Sequence, residues 1–206
     1  RSLYGMSEAG WICGNRHYAR RLGTVGLPAR HQRLEVVDGE GRPVPPGVEG
    51  EVTVGGSQTS LGVLDLDGSF TPVRGTRLRG GDLAVVDEEG FVRITGRVKD
   101  LIIKGGVNIA PVEIENLLLQ HADVAEAAVL GIPDPIYGED VAAYVVPRPG
   151  RFPAAAALGD FLRATLPAFK TPKAIRFTHA LPRSDRGKVL RDELKRRWLS
   201  ESSPTP

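Results

Sequence analysis

The sequence predicts a mixed fold: a small β-barrel-like subdomain followed by a compact α+β domain. Three observations carry that expectation. Before about position 97, short β-branched runs alternate with Gly-rich turns. After it, strand-like and helix-like stretches alternate. The basic residues also change type: residues 1–96 carry 11 arginines and no lysine against 12 acids, whereas residues 97–206 carry 16 basic side chains, including every lysine, against 13 acids. A compositional seam of this kind marks a boundary between domains.

In the first part, Leu34–Asp38 and Gly50–Val54 read as strands, each followed by glycines, with Pro43, Pro45 and Pro46 between them where no ladder donor is needed. Asp82–Val86 and Phe91–Thr95 read as a second pair around the turn Asp87-Glu88-Glu89-Gly90. In the second part, Leu101–Ile103 is a short strand leading into Gly105-Gly106. A helix is expected from Pro111, where a missing N–H costs nothing, with Ile114, Leu117, Leu118 and His121 at helical spacing. Val124–Ile132 reads as a strand closed by Pro133-Asp134-Pro135, and Val141–Val146 as its neighbour. Further along, a helix is expected over Ala155–Leu166, a strand over Ala174–Phe177 and a basic helix over Val189–Leu199. The expected organisation is residues 1–96 as a β-rich subdomain, 97–200 as the α+β domain and 201–206 as a frayed tail.

Composition narrows the function classes. Hydrophobic residues make up 41% and charged residues 25%, an ordinary globular balance that argues against disorder. One cysteine, Cys13, allows no internal disulfide. No apolar run approaches the roughly 18 residues of a membrane span. A soluble, cytoplasmic protein is expected. The net charge of +2, with Asp185, Asp192 and Glu193 interleaved in the basic C-terminal run, is too weak for nucleic-acid binding. The chain opens at Arg1 with no Met, as the interior of a longer protein does.

Four stretches carry chemistry: Tyr4-Gly5-Met6-Ser7-Glu8, Gly81-Asp82, the long run from Gly96-Arg97-Val98-Lys99-Asp100 through Gly105-Gly106 to Glu115, and Leu181-Pro182-Arg183-Ser184-Asp185-Arg186-Gly187-Lys188-Val189. Together, in order and at family spacing, they resemble the motifs of the adenylate-forming enzymes, which include acyl- and aryl-CoA ligases and peptide-synthetase adenylation domains. That resemblance implies a ligase that couples ATP and a carboxylic acid into an acyl-adenylate and then passes the acyl group to the thiol of coenzyme A.

The resemblance also assigns roles. Lys188 is the catalytic group, because a fixed ammonium stabilises charge developing on the α-phosphate and the attacking carboxylate. Asp82 accepts the ribose hydroxyls, Arg97 clamps the ribose and α-phosphate side, Tyr4 offers a flat face to adenine and Ser7 a hydroxyl to phosphate. Glu8 supplies a hard oxygen to Mg²⁺. Lys99 matches the hinge about which the following domain turns between half-reactions. Gly105 and Gly106 leave room for pantetheine, while Tyr137, Phe169 and Lys173 match positions near the CoA nucleotide. Two positions depart from the pattern: Gly80 stands where the family has Thr, and Arg186 where it has Ser or Thr.

The family's Gly-rich Ser/Thr loop ending in Pro-Lys is absent, so the resemblance implies the last third of an enzyme, inactive without its N-terminal part. Ser7 and Asn108-Ile109-x-Pro111 resemble CoA ligases. An adenylation domain loading a carrier protein and a non-catalytic interaction fragment stay open as alternatives.

Overall fold

The structure, a computed structural model, describes residues 3–17, 19–73 and 75–202, and the chain divides into two compact units after Lys99. Among the described residues the architecture is mixed, with three α-helices and several sheets. Among the described residues no helix is long and apolar enough to cross a membrane.

The first unit is all β. Strands β1 (Leu3–Met6) and β2 (Gly10–Gly14) form an antiparallel hairpin, and β3 (Leu27–Pro28) pairs the other edge of β2. Strands β4 (Gln32–Val37) and β5 (Glu49–Gly56) begin a second sheet. The chain leaves that sheet for a small hairpin, β6 (Gly62–Leu64) and β7 (Phe70–Pro72), and returns as β8 (Leu78–Val86) and β9 (Val92–Arg97). The sheet order is β4-β5-β8-β9, antiparallel throughout, and no described sheet closes on itself as a barrel. Val36, Val52, Val54, Ala84 and Val92 alternate inward and bury Ile12 and Cys13 of β2 among them. Burial pushes the Cys13 thiol up to about 12, so it packs as a small apolar group and carries no thiolate at neutral pH.

Strand β8 begins four residues before the expected Asp82. The residues just before it form a bulge inside a continuous strand: the register passes from Thr53↔Arg79 to Glu51↔Leu83, leaving Gly80, Gly81 and Asp82 opposite Val52 alone. A bulge re-aims the side chain it carries. Here that side chain is Asp82.

After a 3-10 turn at Val98–Asp100, the second unit opens with the hairpin β10 (Ile102–Lys104) and β11 (Val107–Ile109). Gly105 and Gly106 form its two-residue turn with φ of +57° and +83°. Two successive positive φ angles are what such a hairpin demands, and glycine meets them without strain. Helix α1 (Pro111–Leu118) starts at the proline, and Ile114 and Leu118 share its buried face. Then come β12 (Val124–Asp134), β13 (Gly138–Pro147), α2 (Ala155–Arg163), β14 (Ala174–Phe177) and α3 (Arg191–Ser202).

Strand β13 is central: β12 pairs one edge along its length, while β10 and β14 share the other. Its run Val141–Val146 is buried throughout, which is why it shows no apolar–polar alternation. Val141, Ala143 and Val145 face Ile114, Leu118, Leu158 and Leu162 of α1 and α2. Ala142, Tyr144 and Val146 face Leu181, Leu194 and Trp198.

Several boundaries differ from expectation. Helix α1 ends at Leu118, short of the expected His121, whose N–H turns back to the Leu118 carbonyl, and β13 starts at Gly138, three residues ahead of Val141, because it pairs β12 from the turn onward. Strand β12 continues through Pro133 to Asp134, because it is an edge strand, where proline is tolerated. Helix α2 ends at Arg163: the Thr165 and Leu166 N–H groups both turn back to the Leu162 carbonyl ahead of Pro167, which disfavours helix at the residue before it. Helix α3 starts at Arg191, because Val189 is bridged to Arg183. It runs to Ser202, and residues 203–206 of the expected tail lie outside the described residues.

Candidate functional site

In the first unit the chain brings Tyr4, Asp82 and Arg97 together. Asp82 and Arg97 are cross-strand partners in β8 and β9. Arg97 Nε donates to Asp82 Oδ1 at 2.7 Å, and the Tyr4 hydroxyl, arriving from β1, donates to Oδ2 at 2.8 Å. The Asp82 side chain is 16% exposed, so the carboxylate is nearly enclosed by its own donors. Burial, with the Asp82 carboxylate behind it, pushes the Tyr4 phenol well above its ordinary value, and Tyr4 stays a donor across the working pH range. A carboxylate offers about four lone-pair sites. Tyr4 and Arg97 use one on each oxygen, which leaves one on each for an incoming pair of hydroxyls.

The neighbouring bulge is fixed by Glu51, which accepts from the Gly81 N–H at 3.2 Å and from Arg79 Nε at 2.8 Å. Beside it lies an open depression of about 380 Å³ whose wall includes Glu51, Gly80, Gly81, Arg97 and Lys99. A Cβ added at Gly80 would lie 2.5 Å from the Met6 methyl and 3.7 Å from the Tyr4 hydroxyl. Met6 thus fills the space that a threonine at 80 would need. Ser7 and Glu8 occupy the turn between β1 and β2, both exposed, with the Glu8 carbonyl accepting from Ser60 N–H at 2.7 Å. Among the described residues no three His, Cys, Asp or Glu side chains converge as a metal cluster.

The second unit holds two further groups of candidates. Tyr137 and Lys173 line one open depression of about 480 Å³, together with Lys104, Asp134, Asp140 and Thr171. Lys173 donates to Asp134 at 2.9 Å, and the Asp134 carboxylate also accepts the Ile136 and Tyr137 N–H groups, each at 3.0 Å. The Lys173 contact first, then those two amides, hold Asp134 down to about 2. Lys104 pairs with Asp140 and stands 5.5 Å from the Tyr137 ring centroid. The Gly105 N–H donates to the Tyr137 carbonyl at 2.9 Å, so the Gly105-Gly106 turn adjoins this depression. Phe169 lies in the 3-10 turn Ala168–Lys170, between lining residues Ala168 and Thr171, and is exposed.

Lys188 sits elsewhere in this unit. The loop Arg183–Val189 is closed by an isolated bridge between its ends; Gly187 N–H donates to Ser184 O and Ser184 N–H to Lys188 O, both at 2.8 Å. Gly187 has φ +77°, a conformation a Cβ would strain. Arg183 donates to the Gly187 carbonyl at 2.7 Å and pairs with Glu126. The Lys188 side chain points into solvent. Its loop is rooted in the core that Leu181 and Val189 share with Trp198, whereas Ile102 and Ile109 root the glycine hairpin in the core on the opposite face of the sheet.

Sequence reading passed over Glu51, Lys104, Asp134, Asp140 and Arg191, and took Glu115 only as a carboxylate near the positive end of the helix dipole. Glu115, Lys104 and Arg191 fall inside or beside motifs. Glu51, Asp134 and Asp140 stand outside them, and each is tied to a basic partner far along the chain.

Known proteins resemble the chain along most of its length. The AMP-binding enzyme model matches residues 1–64, and the AMP-binding enzyme C-terminal domain model residues 113–188. The chain is 37% identical over 199 residues to a feruloyl-CoA synthase of Amycolatopsis sp, covering 95% of this chain and 40% of that protein. It is 41% identical over 211 residues to the fatty acid–[acyl-carrier-protein] ligase ScoC of Streptomyces coeruleorubidus, covering 98% and 40%. The crystal structure of ATP-bound MatB from Rhodopseudomonas palustris matches with a TM-score of 0.85 at 32% identity, over 98% of this chain and 41% of that one. The chain spans about 40% of the length of these relatives.

Proposed function

The chain belongs to the AMP-binding, adenylate-forming enzymes, and from that premise we propose that it carries the ribose cradle, the adenylation lysine and the thiol-side face of an ATP-dependent acyl- or aryl-CoA ligase. The observation that carries this reading is the convergence of Tyr4 and Arg97 on Asp82. Three motif residues from separate strands meet around one carboxylate whose free lone pairs suit a vicinal diol.

In the proposed reaction an oxygen of the acid's carboxylate attacks the α-phosphorus of ATP and pyrophosphate leaves. Asp82 holds the ribose, Arg97 flanks it, and the Tyr4 ring presents its face beside the same carboxylate. Lys188 places its ammonium against charge that grows in the transition state. The CoA thiol, its proton passed to solvent, then attacks the acyl carbonyl; the bond from the acyl carbon to the phosphate oxygen breaks, and AMP leaves with its electron pair. The depression lined by Tyr137, Lys104 and Lys173, with Phe169 beside it, suits an aromatic base and phosphates. Lys99 is the proposed hinge, at the position after which the chain divides. Opposite rooting of the Lys188 loop and the glycine hairpin supports their use in different half-reactions.

Glu8 fits a Mg²⁺ ligand: its carboxylate is exposed and single, as a cation that takes most of its oxygens from phosphates and water requires. When bound, Mg²⁺ neutralises phosphate charge. The sequence holds no Gly-rich Ser/Thr loop ending in Pro-Lys, so this chain by itself is expected to release no pyrophosphate from ATP with any acid.

A second reading, transfer to a carrier protein, is favoured by the similarity to ScoC. Supplying the enzyme that contains this chain with ATP, an acid panel and either free CoA or a pantetheinylated carrier protein separates the two. Thioester on CoA supports the first reading, and loading of the carrier alone replaces it with the second.

A further inference from the structure

Arg191 is the first residue of α3, three positions after Lys188. One of its guanidinium nitrogens donates to Glu115 Oε1 of α1 at 2.6 Å. The Glu115 side chain is only 10% exposed, and the same oxygen accepts the Val129 N–H of β12 at 2.8 Å. The other terminal nitrogen stands 4.0 Å from Asp100, the residue that follows Lys99. Arg191 therefore joins three things: the end of the lysine loop, the buried centre of the unit and the first residue after the point where the chain divides.

The rest of the loop's anchorage is lighter. Its first stem is held by the exposed pair Arg183–Glu126, and its second by Leu190 N–H donating to Pro182 O at 2.9 Å. An exposed pair contributes little, whereas breaking a buried one leaves an uncompensated charge. Leu181 and Val189 root the stems in the apolar core beside α3, and the Arg191 pair is the polar anchor that ties the loop across to α1 and Asp100.

We propose that Arg191 is a positioning residue for adenylation: through Glu115 and Asp100 it makes the Lys188 loop and the segment following Lys99 turn as one body. The inference rests on the reading of Lys188 as the adenylation group. Without this strut, rotation of the backbone at Lys99 is no longer transmitted to the loop, and the ammonium arrives dispersed over several positions. The thioester-forming step, which uses the glycine hairpin rooted in the other core, does not depend on it.

The test uses the enzyme containing this chain, with Arg191→Met, Arg191→Lys and Glu115→Gln, the last keeping an acceptor for Val129 N–H while removing the charge. Expected results are a tenfold or greater fall in the adenylation turnover of Arg191→Met, an ATP KM within twofold of the parent, unchanged thioester formation from supplied acyl-adenylate, and recovery of at least half the turnover in Arg191→Lys. Glu115→Gln should follow Arg191→Met, and it decides the matter if Arg191→Met does not fold. Equal loss in both half-reactions, or no loss in adenylation, overturns the proposal. Amide exchange separates its failure from that of the Lys188 reading. If Lys188→Ala leaves adenylation intact, the catalytic reading is wrong; the strut still stands if Arg191→Met speeds exchange at Gly187, Lys188 and Leu190 tenfold, and falls if those rates are unchanged.

Discussion

The Asp82 carboxylate and the Lys188 ammonium are the two charges on which the proposed chemistry depends, and the chain holds them in opposite ways. Asp82 is set on a strand bulge, enclosed, and bonded on both oxygens before any nucleotide arrives. Lys188 sits on a loop whose backbone is tied by short turns while its side chain reaches into solvent. A group that binds the ground state gains from being fixed in advance, since no ordering cost remains to be met on binding. A group that acts only in one half-reaction gains from a defined backbone and a free tip. The difference teaches that burial alone does not identify a functional residue: the exposed lysine carries the larger proposed kinetic share.

The strongest way to break this comparison is Lys188→Ala in the enzyme containing the chain. We expect adenylation to fall by about 10²–10³, the usual cost of losing one preorganised stabilising contact. Thioester formation from supplied acyl-adenylate and the melting temperature should be unchanged, because the side chain is exposed. A fall in melting temperature would show that Lys188 is structural after all.

Asp82→Asn should come next. Hydrogen bonds to a charged group are worth about 1.5–3 kcal/mol, so ATP affinity should weaken roughly tenfold to a hundredfold. The loss should shrink for an ATP analogue lacking the ribose hydroxyls. An equal loss with that analogue would remove Asp82 from the ribose.

Tyr4→Phe should have a smaller effect, about fivefold in ATP affinity for the loss of roughly 1 kcal/mol of hydrogen bonding. It also has a pH signature. Above pH 10 the unfolded chain loses a phenol proton that folded Tyr4 retains, so this residue's contribution to stability declines as pH rises from 10. Tyr4→Phe should remove that part of the alkaline slope in a series of thermal melts.

The smallest expected effect is on the acid side. Asp134 is held down to about 2 by Lys173 and two amides, so its contribution is present above its unfolded value of 3.8 and is lost as pH falls from there to about 2. In melts between pH 4 and pH 2, Asp134→Asn should be less sensitive to pH than the parent. An identical slope would remove the Lys173 pair as an organiser of that depression.

How much of this was legible in the sequence depends on how local the signal was. Pro111 announced α1, because a proline at the first helical position is a one-residue signal, and the bounds of β14 follow from a short apolar run after Pro172. Tyr4, Asp82 and Arg97 could be named from motifs, but their meeting could not: the Tyr4–Asp82 bond spans 78 positions. Arg191 and Glu115, 76 positions apart, sit in a basic run and a helix start that read as ordinary surface charge until the fold brings them together. The start of β8 was missed for a related reason. Leu78 to Gly81 carry little local strand signal, and long-range pairing to β5 draws them into the strand ahead of the expected Asp82.

The doubly covered strand β13 sets a timetable for synthesis. Its Ala142, Tyr144 and Val146 need Leu194 and Trp198, and α3 follows every strand of the sheet in the chain. As the polypeptide leaves the ribosome, one side of the sheet can be shielded by α1 and α2, while the other must wait, apolar and bare, for the last helix. That interval is when the nascent chain is most open to chaperone capture or to pairing with a neighbour of its own kind.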